Sequence, residues 1–154
     1  MTLHFAYGSN MSRMLMQARC PRAEALGTAT LAGWRFVVTP EGVGSIAPRA
    51  GALVHGVLWR LTPRDLAAVN AYESLDSGLY LRRRLAVRQG ERRMPALVYV
   101  ARRKGEGTPR PGYIDLVVEA ARDWELPEPY IRSLRRWSRS GWRGARAKDT
   151  GELA

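Results

Sequence analysis

Phe5-Ala6-Tyr7-Gly8-Ser9-Asn10-Met11, close to the N-terminus, decides how the rest of the chain is read. Its apolar, aromatic start reads as a short strand, and Gly8, Ser9 and Asn10 let a backbone turn sharply with its N–H groups exposed. Met11, Met14 and Leu15 then recur at helical spacing, which predicts a turn between the end of a strand and the start of a helix. Such a junction suits an anion. Free N–H groups and the positive end of a helix dipole face whatever lies over the turn, and Gly8 has no Cβ to block its approach. A plain strand-to-helix connection with Asn10 as the cap fits the same residues.

Working outward from this turn, 154 residues of which 45% are hydrophobic suffice for one domain with a real core and are too few for two of ordinary size. The domain is expected over residues 1–139, followed by a basic C-terminal tail over 140–154. No apolar run approaches the roughly 18 residues needed to cross a membrane, and the N-terminus lacks the basic-then-apolar pattern of a signal peptide. A cytoplasmic protein with no membrane partner is the expectation. Cys20 is the only cysteine and His4 and His55 the only histidines, so neither an internal disulfide nor a metal site is expected. The net charge is +11, from 25 Lys and Arg against 14 Asp and Glu. Seven basic residues fall from Tyr130 onward (Arg132, Arg135, Arg136, Arg139, Arg143, Arg146 and Lys148) against Asp149 and Glu152, with Trp137 and Trp142 interleaved. That pattern fits a nucleic-acid or other anionic partner, and equally a basic helix face with a frayed end.

Taken in order, the chain reads as many short strands with a few helices. Glu24–Thr30 and Trp34–Thr39 are strand-like, and Gly42, Gly44 and Gly51 bracket a short strand and turn at Ser45–Pro48. Ala52–Leu61, where Val54, Val57, Leu58 and Trp59 cluster, is the clearest strand and is expected to be central. Thr62-Pro63-Arg64-Asp65 then starts a helix, with Thr62 as cap and Pro63 in the first turn, and this helix delivers Glu73 at its C-terminal end. Strands follow at Leu79–Val87 and Met94–Ala101 around the turn Gln89–Arg92. Two helices close the chain, striped by Ile114, Val117, Val118 and Ala121 and by Tyr130, Leu134 and Trp137, with a break at Leu126-Pro127. The sum is an α+β fold with a small, mostly antiparallel, mixed β-barrel flanked by a few helices.

Several blocks together resemble the gamma-glutamylcyclotransferase family. They are Phe5-Ala6-Tyr7-Gly8-Ser9-Asn10, Gly33-Trp34-Arg35-Phe36, Gly56-Val57-Leu58-Trp59, Tyr72-Glu73 with Ser77-Gly78-Leu79-Tyr80, and Thr108-Pro109-Arg110-Pro111-Gly112-Tyr113, and the likeness runs to about Trp137. The resemblance implies a barrel in which the Tyr-Gly-Ser-Asn turn faces one acidic residue across a cavity. It makes Tyr7, Gly8, Ser9 and Asn10 the substrate-binding turn, Glu73 the catalytic carboxylate and Tyr113 a substrate contact. Ser74 departs from the pattern, since many relatives carry glycine directly after the glutamate.

The chemistry implied needs no cofactor and no metal. The α-amine of a γ-glutamyl group can fold back onto its own γ-carbonyl, giving 5-oxoproline and a free amine, so the small γ-glutamyl substrate brings its own nucleophile. Intramolecular attack of this kind reaches effective molarities of roughly 10⁵ M or more. Proton traffic remains, and one carboxylate between the two nitrogens can take the first proton and return it to the second. Read without the resemblance, Glu73 is a solvated glutamate at a helix end, although a carboxylate is disfavoured there. Asp76 is its nearest rival and is better explained as a turn former. Tyr7, Tyr80 and Tyr113 fit core or rim positions as well, and Cys20 and His55 read as packed residues. A non-catalytic binding protein of the same fold, or one whose basic C-terminal region binds an anionic partner, is the alternative to the enzyme.

Overall fold

The computed structural model describes residues 1–73 and 78–145. Ser74, Asp76 and Ser77, and the later part of the expected basic tail, lie outside the described residues. The chain forms β1 (Thr2–Ala6), a 3-10 turn (Ser9–Met11), α1 (Arg13–Arg19), β2 (Glu24–Val38), β3 (Gly44–Leu61), α2 (Pro63–Tyr72), β4 (Tyr80–Gln89), β5 (Arg92–Ala101), α3 (Tyr113–Asp123) and α4 (Glu128–Ala145). The five strands close a barrel in the order β1-β3-β2-β4-β5. Neighbours pair antiparallel except β1 and β5, which meet in parallel through His4 and Leu97. The mixed, mostly antiparallel barrel expected from the sequence is therefore present; because it is closed it has no central strand, and β3 lies between β1 and β2 as every strand lies between two others.

Where glycines suggested breaks, the barrel uses them as irregularities inside two long strands. Glu24–Thr30 and Trp34–Thr39 belong to the single 15-residue β2, and Ser45–Pro48 is the first part of the 18-residue β3 rather than a short strand and turn. Ser45, Ile46 and Pro48 pair with Val37, Phe36 and Trp34. Register slips between Ala32 and Trp34, where Gly33 has φ 86° and Gly51 on the facing strand has φ 80°. A bulge with left-handed glycines lets a long pair bend around the barrel without ending.

Phe5, Val54, Val57, Leu58 and Leu61 are fully buried in the core. The last two helices cover it with Ile114, Val117, Val118 and Ala121 as expected, and with Ile131 and Leu134. Trp137 reaches Phe36 of β2 edge-on, ring centroids 6.5 Å apart, and Tyr130 and Trp137 are only half-buried. The first helix corrects its expected stripe. Met11 and Met16 are fully buried while Met14 is 78% exposed, because the 3-10 turn takes up residues 9–11 and the α-helix starts only at Arg13. Ser12, not Asn10, caps it by accepting from the Leu15 N–H. The second helix starts as read, with Thr62 Oγ1 accepting from the Asp65 N–H at 3.1 Å and Pro63 in the first turn. Among the described residues, no helix is long and apolar enough to cross a membrane, and no group of three or more His, Cys, Asp or Glu is placed to hold a metal.

Candidate active site

The end of β1 places Tyr7, and the turn that follows brings Gly8, Ser9 and Asn10 into the wall of a cavity of about 280 Å³. Two tryptophans pin the turn from behind. Trp59 of β3 donates its Nε1–H to the Asn10 carbonyl at 3.0 Å, and Trp124, at the end of α3, donates to the Met11 carbonyl at 2.7 Å. Asn10 is thereby buried, with its side chain turned to the carboxyl group at the end of α2. Its Nδ2 donates to Glu73 Oε2 at 3.2 Å. Glu73 follows the last residue of α2 and its N–H donates to the Val69 carbonyl, so the helix end fixes its position.

Tyr113 enters from the opposite side as the first residue of α3, after Gly112 in the left-handed conformation. A Cβ on Gly8 would stand 2.8 Å from the Tyr113 hydroxyl, and one on Gly44 2.7 Å from it. The bare backbone at Gly8 is thus occupied by a protein hydroxyl, and Gly8 is needed for Tyr113 to fit. Burial keeps that hydroxyl protonated by pushing its pKa up, with the backbone at Gly44 and Ser9 opposing the rise. All six residues singled out from the sequence, Tyr7, Gly8, Ser9, Asn10, Glu73 and Tyr113, line this one cavity.

Burial sets the charge state of the cavity. Glu73 is pushed up to about 7 by loss of hydration, with Arg19 opposing the rise. Tyr7, Tyr80 and Tyr99 are raised for the same reason and stay neutral. His4 also lines the cavity, is held down to about 4 by burial, and faces the Leu97 carbonyl through Nδ1 at 3.3 Å. A neutral imidazole and four neutral phenols surround one carboxyl group poised near neutrality, a proton acceptor and donor in one residue.

Sequence reasoning had weighed Tyr80 as a core or rim aromatic. Its hydroxyl donates to the Gly44 carbonyl at 2.7 Å and its ring lines the cavity, so it belongs to both. Arg19, Tyr72, Tyr99 and Arg110 were not singled out. Arg19 donates to Asn10 Oδ1 and lies flat over the Tyr72 ring, 3.4 Å from its centroid. Only the meeting of the α1 and α2 ends brings these two together, and no local pattern announces it. Cys20 and His55 are packed as read. The Cys20 thiol is buried and pushed up to about 11, and His55 lies against Tyr130.

Fold and cavity together define a small closed barrel in which a Tyr-Gly-Ser-Asn turn meets the Glu73 carboxyl group, the one carboxyl in the cavity wall among the described residues. Residues 4–125 match the family described as Gamma-glutamyl cyclotransferase, AIG2-like, and the chain belongs to that family. Curated relatives include the gamma-glutamylcyclotransferases of Mus musculus and Homo sapiens, each 24% identical over 145 residues, covering 86% of this chain and 77% of the relative. A solved gamma-glutamyl cyclotransferase superposes with a TM-score of 0.81 at 23% identity, over 87% of this chain and 86% of its own. YkqA from Bacillus subtilis superposes with a TM-score of 0.78 at 23% identity, over 90% of this chain and 54% of its own.

Proposed function

We propose that the protein cyclises a γ-glutamyl amine or γ-glutamyl amino acid to 5-oxoproline, releasing the free amine, with Glu73 as general base and then general acid. The observation that carries this reading is the Glu73 carboxyl group, pushed up to about 7 and held by Asn10 of the Tyr-Gly-Ser-Asn turn inside the cavity. The substrate's α-ammonium gives a proton to Glu73 and its nitrogen attacks the γ-carbonyl carbon. A ring C–N bond forms, and the tetrahedral oxyanion collapses with cleavage of the bond to the leaving nitrogen. Glu73 returns the proton to that nitrogen, and the second proton, shed by the ring nitrogen as it becomes the lactam N–H, passes by the same carboxylate to the departing amine, which leaves as an ammonium. The carboxylate is regenerated and no group stays on the protein.

A base with a pKa near the working pH is efficient in both halves of this exchange. Tyr113 supplies a matching electrophile. Its hydroxyl is kept protonated by burial and reaches the backbone of the turn at Gly8, where its proton can be donated to the developing oxyanion. Incubating the protein with a panel of γ-glutamyl compounds and detecting 5-oxoproline tests the reading. Turnover of at least one member is expected. Binding without 5-oxoproline across the panel would leave a binding protein of this fold instead.

A further inference from the structure

The carboxylate is not held by Asn10 alone, because Asn10 is itself held. Arg19, the last residue of α1, donates from Nη1 to Asn10 Oδ1 and lies 3.4 Å from Ser9 Oγ. Its guanidinium is stacked on Tyr72, the last residue of α2, whose hydroxyl is 3.3 Å from the same Ser9 Oγ. Among the described residues no ion pair joins Arg19 to Glu73, so the link between them runs through the Asn10 amide. From this chain of contacts we propose that Arg19 is a positioning residue, which fixes the orientation of the Asn10 amide and through it holds Glu73 ready as an ionised base.

The physical reason lies in what each group can offer. A guanidinium only donates, so it captures the amide oxygen of Asn10 and forces the amide nitrogen toward Glu73. An amide N–H favours the ionised carboxylate, whereas a flipped amide would present its oxygen and favour the protonated acid. Arg19 therefore selects the charge state that the first proton transfer needs. Stacking on Tyr72 keeps the guanidinium plane fixed at the meeting of two helix ends, a role that a lysine cannot fill.

The other groups facing Glu73 do not supply this bias. Tyr7 from the turn, Tyr80 from β4, Tyr99 from β5 and Tyr113 from α3 are all neutral, as is His4 in β1. Arg110 lines the cavity from the loop before α3, with its Nε committed to the Glu41 carbonyl. Arg19 is the cation whose charge opposes the upward push on Glu73.

The test follows the Glu73 side-chain carboxyl by carbon-13 NMR through a pH titration of the full-length protein, beside the rate of 5-oxoproline release. In Arg19→Gln the midpoint is expected to rise by about 1 pH unit or more, and the ascending limb of the rate profile to move with it. A merely structural role would leave both where they are. An unchanged midpoint in cooperatively folding Arg19→Gln overturns the proposal. Arg19→Lys, which keeps the charge, is the second variant and decides the matter should Arg19→Gln not fold. It is expected to lower kcat by about 10–100-fold and to shift the Asn10 side-chain amide resonances. Wild-type kcat together with unchanged Asn10 resonances in that variant would equally overturn it. The proposal rests on the cyclotransferase reading only for its effect on rate. Should the wild type form no 5-oxoproline, that reading fails, while the titration and the amide resonances still decide what Arg19 does.

Discussion

The Tyr113 hydroxyl lies where a side chain on Gly8 would have to go, and this changes what a substitution in the turn does. Gly8→Val would drive carbon against that hydroxyl as well as narrow the cavity. Its expected cost is about 1–3 kcal/mol of stability with loss of turnover. Tyr113→Phe in the same chain should recover part of the stability and none of the activity. Urea unfolding and 5-oxoproline release check this, and a Gly8→Val protein with wild-type turnover would remove the turn from the site. Glu73→Gln keeps size and hydrogen bonding, and Asn10 Nδ2 can still donate to the amide oxygen, but the ammonium proton has no acceptor. It is expected to bind a γ-glutamyl ligand by calorimetry while losing about 10²–10⁴-fold in turnover. Asp76→Asn should cost far less, and an equal loss there would move the assignment to Asp76. Glu73 was legible through a family likeness spread over several blocks. Arg19 was not, because an arginine ending a short helix looks solvated until the partner helix is in place.

At the scale of elements, local chemistry was legible wherever a side chain acts on its own backbone. Thr62 and Pro63 start α2 as their chemistry requires, and the turn at Gln89–Arg92 separates β4 from β5. It failed where long-range pairing overrides local punctuation. Gly51 reads as the end of a short strand and turn, yet pairing of β2 with β3 carries both strands past it and past Gly33, since a bulge costs less than leaving both ladders unpaired. Among the described side chains of α4 the buried anchors are Ile131 and Leu134, with Trp137 half-buried behind them. α4 itself runs on to Ala145, across the expected boundary at residue 139, but these anchors precede it, so we expect deletion of the residues after Gly141 to leave folding and turnover largely intact. Thermal unfolding and 5-oxoproline release of the shortened protein check this, and loss of a cooperative transition would make the final turns part of the fold. If the basic segment instead binds nucleic acid, the full chain should do so with a steep salt dependence that the deletion abolishes.

For the molecule as a whole, burial moves two residues of the same cavity wall in opposite directions. Glu73 goes from 4.5 up to about 7, through loss of hydration opposed by Arg19, and His4 from 6.5 down to about 4, through burial opposed by the Leu97 carbonyl. A carboxyl group raised on folding contributes stability that is complete below about pH 4.5 and lost as pH rises through 7. An imidazole lowered on folding contributes stability that is complete above 6.5 and lost as pH falls through 4. Each interval spans about 2.5 pH units, on the order of 2–3 kcal/mol once the half-buried position of Glu73 is allowed for. The two slopes therefore cancel over most of pH 4.5 to 6.5, and the wild type should show little dependence on pH there from these groups. Glu73→Gln removes one slope and leaves the other. Its stability should climb from pH 4 to 6.5 as His4 loses its proton, and at pH 8 it should exceed the wild type by on the order of 2–3 kcal/mol, the cost of an ionised carboxylate in the cavity. Urea denaturation at a series of pH values gives both curves. A variant that tracks the wild type throughout, or is the less stable of the two at pH 8, would mean that Glu73 ionises without cost to the fold and lacks the raised proton affinity proposed for its part in the reaction.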